Sequence, residues 1–376
     1  MNYRIVVTTA FGVESVTKNE LRKLGVRDPK AIEGSISFDG TEEDVMRCNL
    51  FLRTAERVYI TVGSFHAETF DDLFDGIKAL PWQNYIPRDG KVIVTGKSKK
   101  SKLFALSSCQ SIIKKAILVR LMPIYRLRTF DESGADFNVE FSINEDRVTV
   151  LQNTTGKGLH KRGYRTLVAP AQMKETLAAA IVSLSDMTPE KPFIDPFCGC
   201  GTFVIEAALS ALNIAPGKNR DFDFLHWPFF KKETYKRLLN EATEGEKQDQ
   251  ELHFCGYDLD PAVIKLALYH ARQASIENKI HFQVRNVRDL SSRFSEGTIC
   301  CDPPYGKRLG DLKEAQDLTA ILGERYRALG KKWSAYVISA VPDFERHFGK
   351  KADKNRKFFN ANELCRLYSY FPERQQ

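Results

Sequence analysis

The order of apolar and polar positions in the first half of the chain predicts short strands alternating with helices. Phe137, Val139, Phe141 and Ile143 alternate with polar residues, which is the pattern of a strand with one buried face. Similar reasoning predicts further strands at residues 5–8, 35–38, 57–65, 91–97 and 147–151, and helices at 13–24, 41–50, 70–79 and 103–121. This order fits a pair of small α+β units.

In the second half, apolar stretches repeatedly end in an aspartate. Residues 193–195, 252–258 and 299–302 each predict a buried strand, ending at Asp195, Asp258 and Asp302. A helix is expected to begin near Thr202, another to span residues 262–274, and a strand to follow at 281–284. The half therefore has the strand-then-helix rhythm of an α/β domain.

The most informative motif is Ile-Cys-Cys-Asp-Pro-Pro-Tyr-Gly at residues 299–306. Each proline fixes its own φ and biases the residue before it away from helix, which predicts a rigid turn after the strand. Asp302 and the carbonyl of Pro303 could accept hydrogen bonds from an exocyclic amine, and Tyr305 could stack on the ring that carries it. A tight turn that only happens to contain two prolines is the alternative.

A second motif, Phe-Ile-Asp-Pro-Phe-Cys-Gly-Cys-Gly-Thr at residues 193–202, predicts a strand, a glycine loop and a helix. Gly199 and Gly201 allow positive φ or a close approach of the backbone to a ligand. Thr202 is a candidate helix cap. The loop is not the dinucleotide fingerprint, since the third glycine of that motif would fall at Val204.

Two further positions suit a nucleoside. The carboxylate of Asp258, at a predicted strand end, could take two ribose hydroxyls, with Asp260 in reserve or serving only as the cap of the next helix. Asn286 lies where a side-chain oxygen could read an adenine amine, whereas Asp289 is better explained as a loop acid.

Together these motifs resemble the class I S-adenosylmethionine-dependent methyltransferases, whose amino-methylating branch carries Asp-Pro-Pro-Tyr. The resemblance implies a Rossmann-like α/β domain with a seven-stranded mixed sheet and S-adenosylmethionine as the cofactor. It implies that the target amine is held by Asp302, Pro303 and Tyr305. It also implies a cofactor site that includes Asp195, Phe197, Gly199, Gly201, Thr202, Asp258 and Asn286, although many members carry aspartate at the position of Asn286.

The composition indicates the number of domains and the cellular environment of the protein. The chain has 376 residues, which suggests two or three domains, and 43% of them are hydrophobic, which is enough for ordinary cores. No apolar run approaches the length of a membrane span, and the first residues predict a strand rather than a secretory signal. The eight cysteines form no C-x-x-C pair, so we expect no metal site and a reduced, cytoplasmic environment.

The net charge of +8 is concentrated in three segments, at residues 97–102, 158–165 and 350–357. Each could be a solvated loop. Beside an amine-methylating motif, they favour nucleic-acid phosphates as a common partner. The RNA contacts predicted from them are Lys97, Lys99, Lys100, Lys102, Lys161, Arg162 and Arg165.

The N-terminal half resembles a THUMP domain preceded by a ferredoxin-like segment, chiefly in residues 92–121, 137–143 and 154–165. With both halves together, the chain resembles THUMP-containing guanosine-N2 RNA methyltransferases acting on bacterial large-subunit ribosomal RNA. The expected domains are 1–55 (ferredoxin-like), 56–155 (THUMP-like, binding structured RNA), 156–168 (basic linker) and 169–376 (methyltransferase). Ribosomal RNA is favoured over transfer RNA as the partner, and the oligomeric state is left open.

Residues 214–250 interrupt the strand–helix rhythm with an aromatic cluster, Phe-Asp-Phe-Leu-His-Trp-Pro-Phe-Phe at 222–230. The cluster could stack on an RNA base, but packing against its own domain is the interpretation we favour. Rival functions are a DNA adenine-N6 methylase, a protein glutamine methylase, whose motif would normally start with Asn, and an inactive RNA-binding assembly factor.

Overall fold

Two sheets, each of seven strands, organise the residues that the structure describes. The structure is a computed structural model, and it describes residues 2–167, 173–305, 311–360 and 363–373. Gly306 of the proline motif and residues 168–172, where the predicted linker meets the predicted methyltransferase domain, lie outside these ranges.

The first sheet has the strand order β2-β3-β1-β4-β7-β6-β5. The long strand β4 pairs with β1 on one side and with β7 on the other, so the two predicted α+β units share one continuous sheet. Its elements, in chain order, are β1 (Tyr3–Thr9), α1 (Glu14–Lys23), β2 (Lys30–Ile32), β3 (Ser35–Gly40), α2 (Glu42–Phe51), β4 (Ala55–His66), α3 (Phe70–Ala79), β5 (Lys91–Lys99), α4 (Leu106–Tyr125), β6 (Asp136–Asn144) and β7 (Arg147–Asn153).

Local sequence explains several of these boundaries. Thr41 and Thr69 begin α2 and α3 with capping boxes, in which the threonine side chain and an aspartate three residues later bind each other's backbone N–H groups. The alternating residues Phe137, Val139 and Phe141 of β6 are all buried, as the period of two predicts.

The second sheet has the order β10-β9-β8-β11-β12-β14-β13. Strand β14 runs antiparallel to both of its neighbours and the other pairs are parallel, which confirms the predicted seven-stranded mixed sheet. Its elements are α5 (Glu175–Leu184), β8 (Phe193–Asp195), α6 (Thr202–Ala211), α7 (Lys232–Glu244), β9 (Phe254–Asp258), α8 (Pro261–Gln273), β10 (Ile280–Val284), β11 (Glu296–Cys301), α9 (Asp311–Leu329), β12 (Lys332–Ser339), α10 (Phe344–Phe348), β13 (Lys354–Asn360) and β14 (Glu363–Tyr370).

Strand β8 lies between β9 and β11, which is the point where the strand order reverses. Ligands of open α/β sheets bind at such a point, beyond the carboxyl ends of the strands. Asp195 and Asp258 are the last residues of β8 and β9, and Asp302 follows β11 directly. The topology therefore brings the three predicted strand-end acids to one edge of the sheet.

The aromatic insertion packs differently from our expectation. Trp227 stacks on Phe137 of β6 with ring centroids 5.0 Å apart, and its indole N–H donates to the carbonyl of Asp136. Phe222, Phe224 and Trp227 are all buried in the hydrophobic core of the N-terminal half. The cluster therefore covers the first sheet rather than its own domain, and its buried rings are not available to an RNA base.

None of the helices among the described residues is both long enough and apolar enough to cross a membrane.

Candidate functional site

A cavity of about 770 Å³ opens at the carboxyl ends of β8, β9 and β11. It brings together most of the residues that the two motifs predicted. Those that line it are Phe197, Gly199, Asp258, Asn286, Asp302, Pro303 and Tyr305. One cavity therefore holds both the candidate cofactor residues and the candidate amine-binding turn.

The carboxylate of Asp258 ties the glycine loop to the end of β9. Its Oδ2 atom accepts the backbone N–H of Gly199 at 3.0 Å, and its Oδ1 atom accepts the N–H of Asp260 at 3.0 Å. Because each carboxylate oxygen has a second lone pair, both can still accept a ribose hydroxyl. Asp260 caps α8 by accepting from Ala262 at 2.7 Å, which confirms the capping interpretation for that residue.

The two glycines of the loop are required for different reasons. Gly199 has φ +50°, and a Cβ atom built on it would meet nothing within 4 Å, because it lines the cavity. A ligand can therefore approach this stretch of backbone closely. Gly201 has φ +87°, but a Cβ atom there would lie 2.7 Å from the ring of Phe282. Its lack of a side chain serves internal packing.

Asp195 lies beneath the loop instead of lining the cavity. Its side chain is buried, and Oδ1 accepts the backbone N–H of Phe197 at 3.0 Å. Burial raises the pKa of the Asp195 carboxyl well above its ordinary value, and the negative charges of Asp258 and Asp302 raise that pKa further. The two of these acids that do line the cavity, Asp258 and Asp302, favour a cationic ligand, such as a sulfonium.

Thr202 does not cap α6. The capping position belongs to Gly201, and no side chain makes a cap hydrogen bond there. Thr202 is instead the first helical residue, buried, with its hydroxyl 3.4 Å from a guanidinium nitrogen of Arg165. Asn286 also has a local task, because its side-chain oxygen accepts the N–H of Arg288 at 2.9 Å.

The candidate amine-binding turn has an internal hydrogen bond. The hydroxyl of Tyr305 donates to Oδ1 of Asp302. Tyr305 is half-buried, and burial together with the negative charge of Asp302 raises the pKa of its phenol, which therefore stays protonated and a donor. In this conformation Tyr305 both lines the cavity and orients the acid that was predicted to hold the amine.

The predicted RNA-binding lysines differ in how much of their charge is available. Lys97 and Lys99 are exposed on β5, an edge strand, and Lys161 is exposed in the linker. Lys100 lies 3.7 Å from a carboxylate oxygen of Glu145, and Lys102 forms an ion pair with Glu68. These two charges are already partly compensated.

The two arginines predicted to bind RNA have a structural role instead. The Arg162 side chain is 2% exposed, lies 3.5 Å from Glu206 of α6, and donates to the carbonyls of Leu159 and Arg53. Arg165 is 3.2 Å from Glu175, and its side chain is only 12% exposed. Guanidinium groups with so little exposure, paired in this way, cannot reach an RNA phosphate. They hold the linker against α6 through Glu206 and against α5 through Glu175.

Sequence reasoning missed other residues that line the cavity. Asn360 and Glu363 come from β13 and β14, far from both motifs in sequence. Arg285 also lines the cavity, and its guanidinium lies 5.1 Å from the ring centroid of Tyr257. Neither hairpin residue carries a local signal, because only the antiparallel addition of β14 to the sheet brings them to the site.

Three parts of the chain match described protein families. Residues 4–59 match an RlmL ferredoxin-like domain, residues 67–151 match a THUMP domain, and residues 162–369 match the methyltransferase domain described as RMKL-like. The predicted resemblance to these families is thereby confirmed.

Similar proteins include the Bacillus subtilis protein named "Putative RNA methyltransferase YpsC", which is 39% identical over 98% of this chain and 96% of its own length. The ribosomal RNA large subunit methyltransferase K/L of Syntrophotalea carbinolica is 32% identical over 98% of this chain but only 53% of its own length. Among solved structures, SMU.472 complexed with SAH has 40% identity and a TM-score of 0.96, covering 100% of this chain and 99% of that one.

These similarities agree with the geometry of the cavity. SAH is the product that S-adenosylmethionine leaves after methyl transfer, and the open backbone at Gly199 and the carboxylate of Asp258 suit the same cofactor. The RMKL-like match spans more than half of the sequence. The chain therefore belongs to the RMKL-like family of S-adenosylmethionine-dependent methyltransferases.

Proposed function

We propose that this protein methylates the exocyclic N2 amine of a guanosine in large-subunit ribosomal RNA. The observation that carries the proposal is that Asp302 and Pro303 line the same cavity as Gly199 and Asp258. The THUMP match and the names of the relatives support RNA as the substrate, and the names of the K/L relatives support the large ribosomal subunit.

Positioning is the main contribution of the protein. The amine of guanine is a poor nucleophile, because its lone pair is delocalised into the ring. Hydrogen bonds from the two amine hydrogens to the Asp302 carboxylate and the Pro303 carbonyl would hold the nitrogen and favour its pyramidal form. Holding two reactants in line can supply about 7–11 kcal/mol of a barrier.

When bound, S-adenosylmethionine would supply an electrophilic methyl group on sulfur, which would pass to the guanine nitrogen as the carbon–sulfur bond breaks. The methylated nitrogen would then have to lose one proton. Asp302 can accept that proton or pass it to water. The hydroxyl of Tyr305, which donates to Asp302, would keep the carboxylate aimed at the amine.

Comparing the nucleosides of separated ribosomal and transfer RNA fractions, from strains with and without the gene, tests the proposal. We expect N2-methylguanosine to be lost from the large-subunit RNA alone. Its loss from transfer RNA instead would support guanine-N2 methylation but would make transfer RNA the substrate. Loss of N6-methyladenosine from DNA, or no change in any fraction, would overturn the proposal.

A further inference from the structure

The two faces of the β13–β14 hairpin differ in burial. Its inner face carries Phe358, Cys365 and Leu367, which are buried in the core of the methyltransferase domain. Its outer face carries Phe359 opposite Leu364, exposed by 41% and 50% respectively. Large apolar side chains on an edge hairpin are unfavourable unless something covers them.

Phe359 forms an aromatic pair with a residue of the N-terminal half. The rings of Phe11 and Phe359 are 5.6 Å apart and meet edge to face at 75°. An edge-to-face pair leaves ring faces open, and Phe11 is also 44% exposed. The loop can lie this close to β13 because Gly12 has φ +86°, and a Cβ atom there would lie 2.7 Å from the carbonyl oxygen of Lys357.

Two positive charges face each other one step along the same outer face. Lys357 lies directly opposite Arg366, and both are exposed. Like charges directly opposite on a ribbon are destabilising. Among the described residues, no carboxylate forms an ion pair with either of them. The hydrogen bond that Arg366 donates within this part of the chain goes to the neutral side chain of Asn355, at 3.1 Å. A bound anion would relieve this repulsion.

The outer face of the hairpin lies next to residues that line the cavity. Asn360 and Glu363 both line the cavity, and they are the immediate chain neighbours of Phe359 and Leu364. Successive residues of a strand are 3.8 Å apart and point to opposite faces. The outer face therefore lies on the reverse side of the residues that border the cavity. A polynucleotide with one nucleotide in the cavity would reach the aromatic pair by passing around the edge strand β13.

We propose that the outer patch, defined as Phe11, Phe359, Leu364, Lys357 and Arg366, holds the single-stranded RNA that flanks the target nucleotide. A neighbouring base stacks on Phe359, and a neighbouring phosphate lies between Lys357 and Arg366. The inference rests on the proposed function, because it takes RNA as the substrate. It adds a route between the N-terminal half and the cavity, and it gives a role to Lys357 of the basic segment at residues 350–357.

Substitutions at Phe359 test the stacking. Base–aromatic stacking contributes enough that Phe359→Ala should lower kcat/KM for RNA by about 5- to 150-fold, whereas Phe359→Tyr keeps a ring and should stay near the parent. Lys357→Ala with Arg366→Ala should flatten the salt dependence of RNA binding, by about 0.7 slope units per lost phosphate contact. The matched controls are Leu268→Ala, at a residue exposed by 43%, and Lys265→Ala, both on α8.

Photo-crosslinking gives the location directly. Phe359→p-benzoylphenylalanine should crosslink to nucleotides immediately beside the methylated position. If the parent enzyme methylates RNA but the crosslink maps elsewhere or to a protein, or if Phe359→Ala behaves like the α8 controls, the patch is not an RNA site. If the parent methylates no RNA at all, the proposed function itself fails, and the inference fails with it.

Discussion

The backbone N–H of Gly199 donates a 3.0 Å hydrogen bond to Oδ2 of Asp258. The two residues are 59 positions apart, Gly199 in the loop after β8 and Asp258 at the end of β9. The Asp258 carboxylate thus holds the glycine loop in place, and its remaining lone pairs could accept hydrogen bonds from a cofactor. We therefore expect the geometry of the glycine loop and the affinity for the cofactor to depend on the same side chain.

Substitutions of Asp258 and Asp260 should distinguish cofactor binding from helix capping. Asp258→Ala removes an acceptor for the ribose and unties Gly199, so we expect S-adenosylmethionine affinity to fall by about 10- to 150-fold, the usual effect of losing hydrogen bonds to a charged group. Asp260→Ala is the control, because its side chain caps α8. It should lower stability by about 1 kcal/mol without changing cofactor affinity. Calorimetry measures the cofactor affinity, and thermal unfolding measures the stability. Equal affinities for the two variants would contradict a role for Asp258 in cofactor binding.

The backbone at Gly199 gives a second prediction. Because a Cβ atom at this position meets nothing and enters the cavity, Gly199→Val should place its methyl groups where the cofactor lies and abolish binding. Gly330→Val is a matched control: Gly330 also has positive φ, at +104°, with nothing within 4 Å of a Cβ atom, but does not line the cavity. Both variants should lose stability, and only Gly199→Val should lose S-adenosylmethionine binding in calorimetry. Unchanged affinity in that variant would exclude the glycine loop from the cofactor site.

The contact between the two halves of the protein should depend on pH through Glu56, at the start of β4. Its carboxylate accepts from the hydroxyl of Thr176 at 2.6 Å and from Lys174 at 3.1 Å, and lies 3.4 Å from His160. Burial raises the pKa of Glu56, but these partners outweigh it and bring the pKa to about 2, compared with 4.5 for a free glutamate.

Because the folded-state pKa of Glu56 is lowered, the ionised carboxylate stabilises the fold above about pH 4.5, and this stabilisation is lost as the pH falls toward 2. The shift corresponds to roughly 3 kcal/mol. Glu56→Gln should therefore be less stable at neutral pH, and its free energy of unfolding should decline less steeply between these limits. Denaturant titrations at several pH values measure this difference, and parallel curves for parent and variant would contradict it.

RNA capture by the N-terminal half should depend on Lys97 and Lys99, which are exposed and form no ion pair with another described residue. Lys97→Ala with Lys99→Ala should reduce the salt slope of RNA binding by up to about 0.7–0.9 units per lost phosphate contact. Lys100→Ala with Lys102→Ala is the comparison, and it should change the slope less, because Glu145 and Glu68 already pair with these side chains. Binding curves over a range of salt concentrations decide this. A slope equal to the parent's for the first pair would place the RNA contacts elsewhere, with exposed Lys161 as the next candidate.

Much of the site could be predicted because its signals are local. A buried strand that ends in an acid and is followed by glycines or prolines predicts where the strand ends and where the chain turns. The structure places three residues predicted in this way, Asp258, Gly199 and Asp302, around one cavity. The errors concern long-range packing. Arg162 has the sequence context of an exposed basic linker, whereas the structure buries its side chain beside Glu206 of α6. The ring of Trp227 covers Phe137 of the other half, a partner that no local pattern specifies.

The central claim is that the turn at Asp302 presents a guanine amine to S-adenosylmethionine. Its most direct test is methylation of large-subunit RNA from a strain lacking the gene, by the purified protein and by its Asp302→Ala variant, with the nucleosides identified by mass spectrometry and cofactor affinity measured on the same samples. We expect the parent protein to form N2-methylguanosine, and the variant to bind the cofactor with nearly unchanged affinity while losing most of the transfer. Formation of a different methylated nucleoside by the parent, or near-normal single-turnover transfer by Asp302→Ala, would contradict the claim.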